Sequence, residues 1–415
     1  EFRRVLFRSL AAGMLVSAAL LATGPRLRAD DAAGSSDAAR AAYAAAAALQ
    51  NREAWELAAE EWQALIKAHP NDPLAAKGRY YLGICLLKNG QPDKASEAFR
   101  QVAAGKADAA TLALARWELA RGGFLTAQAK PSPEAFAAAA RGLSEFLEQS
   151  PGQPQVPDAL FSLGESLWQS GKRDEAIAVW ERFVRDHDKA PRMPEVLYAL
   201  GVGQAETGKR DAAAATLGRF AAAFPSHALA ADVALWRADL AAASASPADA
   251  EKILVAVIDG QGPRAADALE RLASARWNRK DWPGAAQAFS RFAERFPDSP
   301  RAARAALSAG IAFAEAKNLE QARIWLGKMA AKEGAEAAEA AHRLALLEID
   351  AKQPARAVEV AERAFAKLAA GGQKPSGDAR RMMARLALDR ADALWEIPGG
   401  SRKAEAAAKI GRAHV

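Results

Sequence analysis

Along most of the chain an apolar position follows the last one by three or four residues, the spacing of one face of an α-helix, and the faces themselves recur. Ala58, Ala95, Ala139, Ala176, Ala213, Ala250, Ala285, Ala322 and Ala357 lie 37, 44, 37, 37, 37, 35, 37 and 35 residues apart. Four residues after each stand Trp62, Phe99, Leu143, Trp180, Leu217, Leu254, Phe289, Leu326 and Ala361; seven after stand Leu65, Val102, Phe146, Phe183, Phe220, Val257, Phe292, Met329 and Ala364. Offsets of four and seven put all three on one helical face, with a small residue where a neighbour must approach closely. This predicts a helix, B, in every unit.

Twelve residues before the alanines stand Ala46, Gly83, Ala127, Gly164, Gly201, Ala238, Ala273, Gly310 and Ala345, all Gly or Ala. They predict a second close-packing point on a preceding helix, A, whose apolar pattern ends in a glycine turn such as Ser170-Gly171-Lys172. Two helices with small facing residues pack with their backbones close. Each unit is therefore expected to be an antiparallel helical hairpin. One hairpin cannot bury its own apolar stripe, so copies stack into a solenoid held by nearest-neighbour contacts.

The spacing resembles the tetratricopeptide repeat, with Leu82-Gly83, Leu86, Gly90, Ala95 and Phe99 in one copy and Leu163-Gly164, Leu167, Gly171, Ala176 and Trp180 in another. The resemblance covers about Asp37 to Ala408. It implies an all-α fold: a right-handed superhelical solenoid of antiparallel hairpins, with about nine repeats over 37–370 and a truncated tenth over 378–408. Ala46, Ala127, Ala238 and Ala345 depart from the motif by replacing its glycine. Copies closing with Phe224-Pro225, Phe296-Pro297 or His69-Pro70 carry longer inter-repeat loops. Those loops resemble exported repeat proteins of bacterial envelopes, namely the Tol-Pal system coordinator and the outer-membrane assembly lipoprotein, although no cysteine is placed to carry a lipid.

Two breaks are expected in the array. The 44-residue interval places seven extra residues around Gln128–Pro133, read as a proline-bearing loop, and Gly371–Gly377 reads as a Gly/Pro linker before the tenth unit. At the ends, Glu1–Ser9 and the stretch 409–415 read as translated sequencing adapters. Leu10–Thr23 is an uncharged apolar run too short for a stable membrane anchor but of signal-peptide length, with Ala29 a plausible cleavage point, so 10–29 reads as a signal peptide and 30–36 as a linker.

These readings change what the charge means. Of 415 residues, 51% are hydrophobic and 26% charged, the balance of a folded chain, and the formal charge is +6. Setting aside Glu1, Arg3, Arg4, Arg8 and Arg412 lowers it to +3, and removing Arg26 and Arg28 with the leader leaves +1. Nucleic acid and anionic lipid are bound by clustered cations, so neither is expected as a partner. With one cysteine there is no disulfide framework, and His69, His187, His227 and His342 share no metal-ligand spacing.

Neither a His-Glu-x-x-His, a phosphate-cradling glycine loop nor a Gly-x-Ser-x-Gly is present, and Gly201-Val-Gly203 follows no strand. Cys85, beside Leu82 and Leu86, reads as a buried thiol. No catalytic residue, cofactor or metal is assigned, and the chain is read as a non-enzyme.

Binding is the remaining chemistry. Fifteen residues before the alanines stand Tyr43, Tyr80, Phe124, Phe161, Tyr198, Leu235, Glu270, Leu307 and His342, the first five aromatic; Trp168 and Trp277 lie a further turn along. The resemblance places the A helices on a concave side. There the stripe either lines a peptide groove, helped by Asp158, Glu165 and Glu195, or packs between neighbouring A helices. The expected function is a non-catalytic protein-interaction scaffold of the periplasm or outer membrane, binding an extended peptide or partner domain, with no membrane segment in the mature chain. The alternative is the helical superstructure of a periplasmic peptidoglycan-acting enzyme whose catalytic domain follows residue 408.

Overall fold

The computed structural model describes residues 34–244, 246–369 and 377–397, with Pro25, 403–405 and Ala408. Both adapter-like ends, the apolar run Leu10–Thr23 with Ala29, and linker residues 371–376 lie outside the described residues. Within them the chain is all-α, with nineteen helices and no strand.

Eighteen of the helices form nine consecutive hairpins. They are α1 Asp37–Asn51 with α2 Trp55–Ala68, α3 Pro73–Lys88 with α4 Pro92–Ala104, and α5 Ala109–Ala129 with α6 Pro133–Gln149. Next come α7 Val156–Gln169 with α8 Arg173–Asp186, α9 Met193–Glu206 with α10 Arg210–Ala223, and α11 Ala230–Ala243 with α12 Pro247–Asp259. The last three are α13 Ala265–Asn278 with α14 Trp282–Arg295, α15 Ala302–Glu315 with α16 Leu319–Ala330, and α17 Ala335–Asp350 with α18 Pro354–Ala369; α19 Gly377–Trp395 follows alone. The nine alanines all fall in second helices and all are buried. By its internal contacts the chain forms two compact units, one ending at Val233 and one beginning at Ala234.

Local chemistry sets the helix ends. The side chains of Ser36, Asp72, Asp108 and Ser132 accept hydrogen bonds from the backbone N–H groups of Ala39, Leu74, Thr111 and Ala135, capping the four A and B helices that follow. At seven of the hairpin turns, the residue five before the alanine adopts a left-handed backbone. Gly90, Gly171 and Gly208 do so freely, whereas Glu53, Lys280, Lys317 and Lys352 do so with a Cβ, at φ of 59°, 60°, 61° and 58°. The next residue then donates back into the helix, as in Lys172 N–H to Leu167 O at 2.9 Å and Asp281 N–H to Arg276 O at 2.9 Å.

In four hairpins the small A-helix residue is a glycine that faces the bulky residue four past the alanine. A Cβ on Gly83 would lie 2.5 Å from Phe99, on Gly164 2.2 Å from Trp180, on Gly201 2.5 Å from Leu217, and on Gly310 2.7 Å from Leu326. Where alanine replaces glycine, at Ala46, Ala127, Ala238, Ala273 and Ala345, it is buried.

One expected break takes another form. The extra residues of the third hairpin are helical: α5 runs 21 residues where the other A helices run 14 to 16, α6 runs 17, and only Lys130–Ser132 separate them. Alanine and leucine in Ala109–Leu119 favour helix, so the insertion lengthens the rods and leaves the turn short.

In the second unit, ion pairs join successive hairpins with opposite polarity. Glu251 on α12 accepts from Arg276 on α13 at 3.1 Å, and from Arg279. Two hairpins later, at matching positions, Arg323 on α16 donates to Glu348 on α17 at 2.8 and 3.1 Å. His342 Nδ1 on α17 lies 2.6 Å from Asp389 Oδ2 on α19, whose carboxyl burial pushes above its ordinary range.

Candidate functional site

The aromatic stripe is packing material along most of its length. Tyr43 and Phe161 are 1% exposed and Tyr198 2%; Phe124, Tyr80 and Trp168 are also buried. Tyr43 sets its edge against Trp62 at 4.9 Å, and Tyr80 packs on Tyr81 at 5.2 Å and Phe99 at 5.7 Å. Trp168 leans on Trp180 at 5.9 Å. Arg192 lies over Phe161 at 5.0 Å, and Arg173 over Trp168 at 5.2 Å. Burial pushes the Tyr80 phenol well above its ordinary range. These six side chains are buried against neighbouring residues. Some of these contacts lie within a residue's own hairpin, as Tyr80 with Phe99, and some reach the next, as Phe161 under Arg192.

The carboxylates beside the stripe are committed or hidden as well. Asp158 accepts from Arg192 at 2.5 Å. Glu165 is 1% exposed, neither of its oxygens has a hydrogen-bond partner among the described residues, and burial pushes its carboxyl up to about 7 against the opposing pull of Arg192. Glu195 keeps one buried oxygen without a partner. Cys85 is a buried free thiol that burial pushes up to about 12, which leaves it protonated and unreactive at neutral pH.

Trp277 is different. It is only partly buried and lines a cavity of about 420 Å³ with Phe289, Phe292, Glu270, Ser274, Asn278, Arg301, Arg304, Ala305 and Ser308. Helix α13 supplies one wall with Glu270, Ser274 and Trp277, at i, i+4 and i+7; α15 supplies the other with Arg304 and Ser308, together with Arg301 just before its first residue. Phe289 and Phe292 from α14 form the floor. Arg301 donates to Asp267 at 2.8 Å and to Glu270, and covers Phe292 at 5.6 Å. Trp277 is braced edge-on by Trp282 at 5.1 Å and Phe289 at 6.0 Å. Trp277 and Glu270 both stand in the sequence register of the stripe; Arg301, Arg304 and Phe289 carried no sequence signal beyond the repeat itself. A second opening of about 550 Å³ lies among α2, α3 and α4, where charges of both signs alternate.

Among the described residues no group of three or more His, Cys, Asp or Glu is placed to hold a metal, and no helix is long and apolar enough to cross a membrane.

A chain of stacked helical hairpins, with small residues at the crossings and a partly open aromatic cavity between A helices, is an α-helical repeat protein of the interaction-scaffold class. A tetratricopeptide repeat family model matches residues 47–110, 134–191, 161–226, 237–300 and 271–338, more than half of the chain. The chain belongs to the tetratricopeptide repeat family. No curated protein matches it. Similar solved structures include the C-terminal part of a repeat protein from Cytophaga hutchinsonii (18% identity, 63% of this chain and 97% of that one, TM-score 0.47). A tetratricopeptide repeat protein from Parabacteroides merdae is 14% identical over 65% of this chain and 98% of that one, with a TM-score of 0.40. YrrB, described as a repeat protein with an unusual peptide-binding site, is 18% identical over 51% and 98%, with a TM-score of 0.40.

Proposed function

We propose that this repeat protein is an exported scaffold of a bacterial cell envelope that holds an extended peptide or a partner domain against its A helices. The observation that carries the reading is the cavity between α13 and α15. It combines a braced tryptophan, an aromatic floor and one cationic wall on neighbouring A helices. Tryptophan and arginine dominate the energetics of protein interfaces when they are held rigid and partly desolvated. Export is supported by the apolar run Leu10–Thr23 with the small Ala29 after it, and an envelope setting by the Phe-Pro inter-repeat loops. Those loops are well-packed features: Phe224 and Phe296 end their helices and pack on Phe220 at 5.7 Å and Phe292 at 5.5 Å.

The test is site-specific photocrosslinking in the host cell after fractionation. A crosslinker at Ser274, on the A-helix wall, gives a discrete adduct in the envelope fraction, while one at the exposed Glu294 of α14 gives none. Retention of the protein in the cytosol defeats the export reading; equal adducts at both positions defeat the A-helix reading.

A further inference from the structure

Two departures from the repeat pattern coincide at one place. Of the nine residues four past the alanines, eight are buried, and Phe289 alone stays partly open. It opens into the cavity between α13 and α15. There Arg304 stands exposed on the wall with no ion pair or hydrogen bond among the described residues, one turn from Arg301, whose charge is already taken by Asp267 and Glu270. The lining thus holds one anion, Glu270, already matched to Arg301, and one surplus cation, Arg304, beside an aromatic floor.

We propose that this cavity selects a peptide segment carrying an acidic side chain two residues from a bulky apolar one, the carboxylate taken by Arg304 and the apolar group seated on Trp277 and Phe289. The inference rests on the A-helix scaffold reading and gives it a ligand chemistry. In an extended segment residues i and i+2 project to the same side, so both reach one cavity. A volume of about 420 Å³ suits a few side chains and no folded element. Arg304 offers a planar pair of donors that a carboxylate accepts in parallel, and Ser274 and Ser308 stand on the two walls to meet the peptide backbone. A lysine in place of the acid would face Arg304 with a like charge.

Fluorescence anisotropy on the full chain tests this with an acetylated, amidated, fluorescein-labelled peptide in which Glu and Phe alternate with Ser, against its counterpart with Lys for Glu. The Glu peptide is expected to bind about tenfold or more tightly than the Lys peptide. Arg304→Glu, on an exposed site with unchanged helicity by circular dichroism, reverses that order. Trp277→Phe, which keeps most of the packing, weakens the Glu peptide several-fold. Unchanged binding in both variants seats the peptide elsewhere and overturns the assignment. Failure of the Glu peptide to bind the wild-type chain overturns it too. In either case an envelope adduct at Ser274 leaves the scaffold reading standing, and only loss of that adduct removes both.

Discussion

Trp62 donates its indole N–H to Gln50 Oε1 at 2.8 Å, and the Cys85 thiol of the next hairpin donates to the same oxygen at 3.4 Å. Trp180 occupies the same repeat position as Trp62, but the residue matching Gln50 is Trp168, and the Trp180 N–H has no partner among the described residues. One site pairs its buried polar group; the other covers it with a ring. Trp62→Phe should therefore cost about 1 kcal/mol more than Trp180→Phe, because it forfeits a bond where Trp180→Phe removes an unpaired donor. Urea unfolding of the two variants measures the difference; equal costs would show that the Gln50 bond contributes nothing net.

Glu165 makes stability depend on pH. Its folded carboxyl is pushed up to about 7 from an ordinary 4.5. The unfolded chain releases this proton from about pH 4.5, whereas the folded chain holds it until about 7, so stability falls as pH rises across that window and levels off above it. Glu165→Gln stays neutral throughout. The variant should gain on the wild-type chain between pH 5 and pH 8, by up to about 3 kcal/mol. Melting curves at both pH values with the same gap would contradict this.

The left-handed lysines are a correctable strain. Lys280, Lys317 and Lys352 take the turn position that Gly90, Gly171 and Gly208 take elsewhere. Lys280→Gly or Lys317→Gly should stabilise by about 0.5–1 kcal/mol, the relief of the Cβ contact less the extra freedom of unfolded glycine. Gly171→Ala should destabilise by a similar amount. Thermal midpoints of the three variants give the signs.

Arg323 and Glu348 form a pair in which Glu348 is almost wholly buried. Arg323→Glu sets two carboxylates together and should cost about 2–3 kcal/mol, while Arg323→Glu with Glu348→Arg should recover most of it. Chemical denaturation of the single and double variants decides; a double variant no better than the single would mean that the surrounding helices accept one polarity only.

Much of the fold could be read from residue spacing. Close crossing of two helices requires residues without bulk, and that requirement leaves Gly83, Gly164, Gly201 and Gly310 at fixed distances from the alanines, each fitted to a large partner. The candidate site was less legible. Tyr198 and Glu270 occupy one repeat position, yet Tyr198 is buried and Glu270 faces an opening, a difference that the repeat spacing alone does not encode. Nothing in its own repeat separates Arg304, without a partner, from Arg301, which has two. The helical insertion in α5 was hidden by Pro131 and Pro133, whose turn is real but only three residues long.

The opposed polarity of Glu251–Arg276 and Arg323–Glu348 bears on how such a gene tolerates rearrangement. Copies this similar invite unequal recombination, which would join the α12 hairpin directly to the α17 hairpin and set Glu251 against Glu348. The shortened product would carry an anionic seam at its new junction. Loss of those two units together therefore carries a charge penalty that loss of either alone does not, because Phe313 or Ala286 would then stand at the junction.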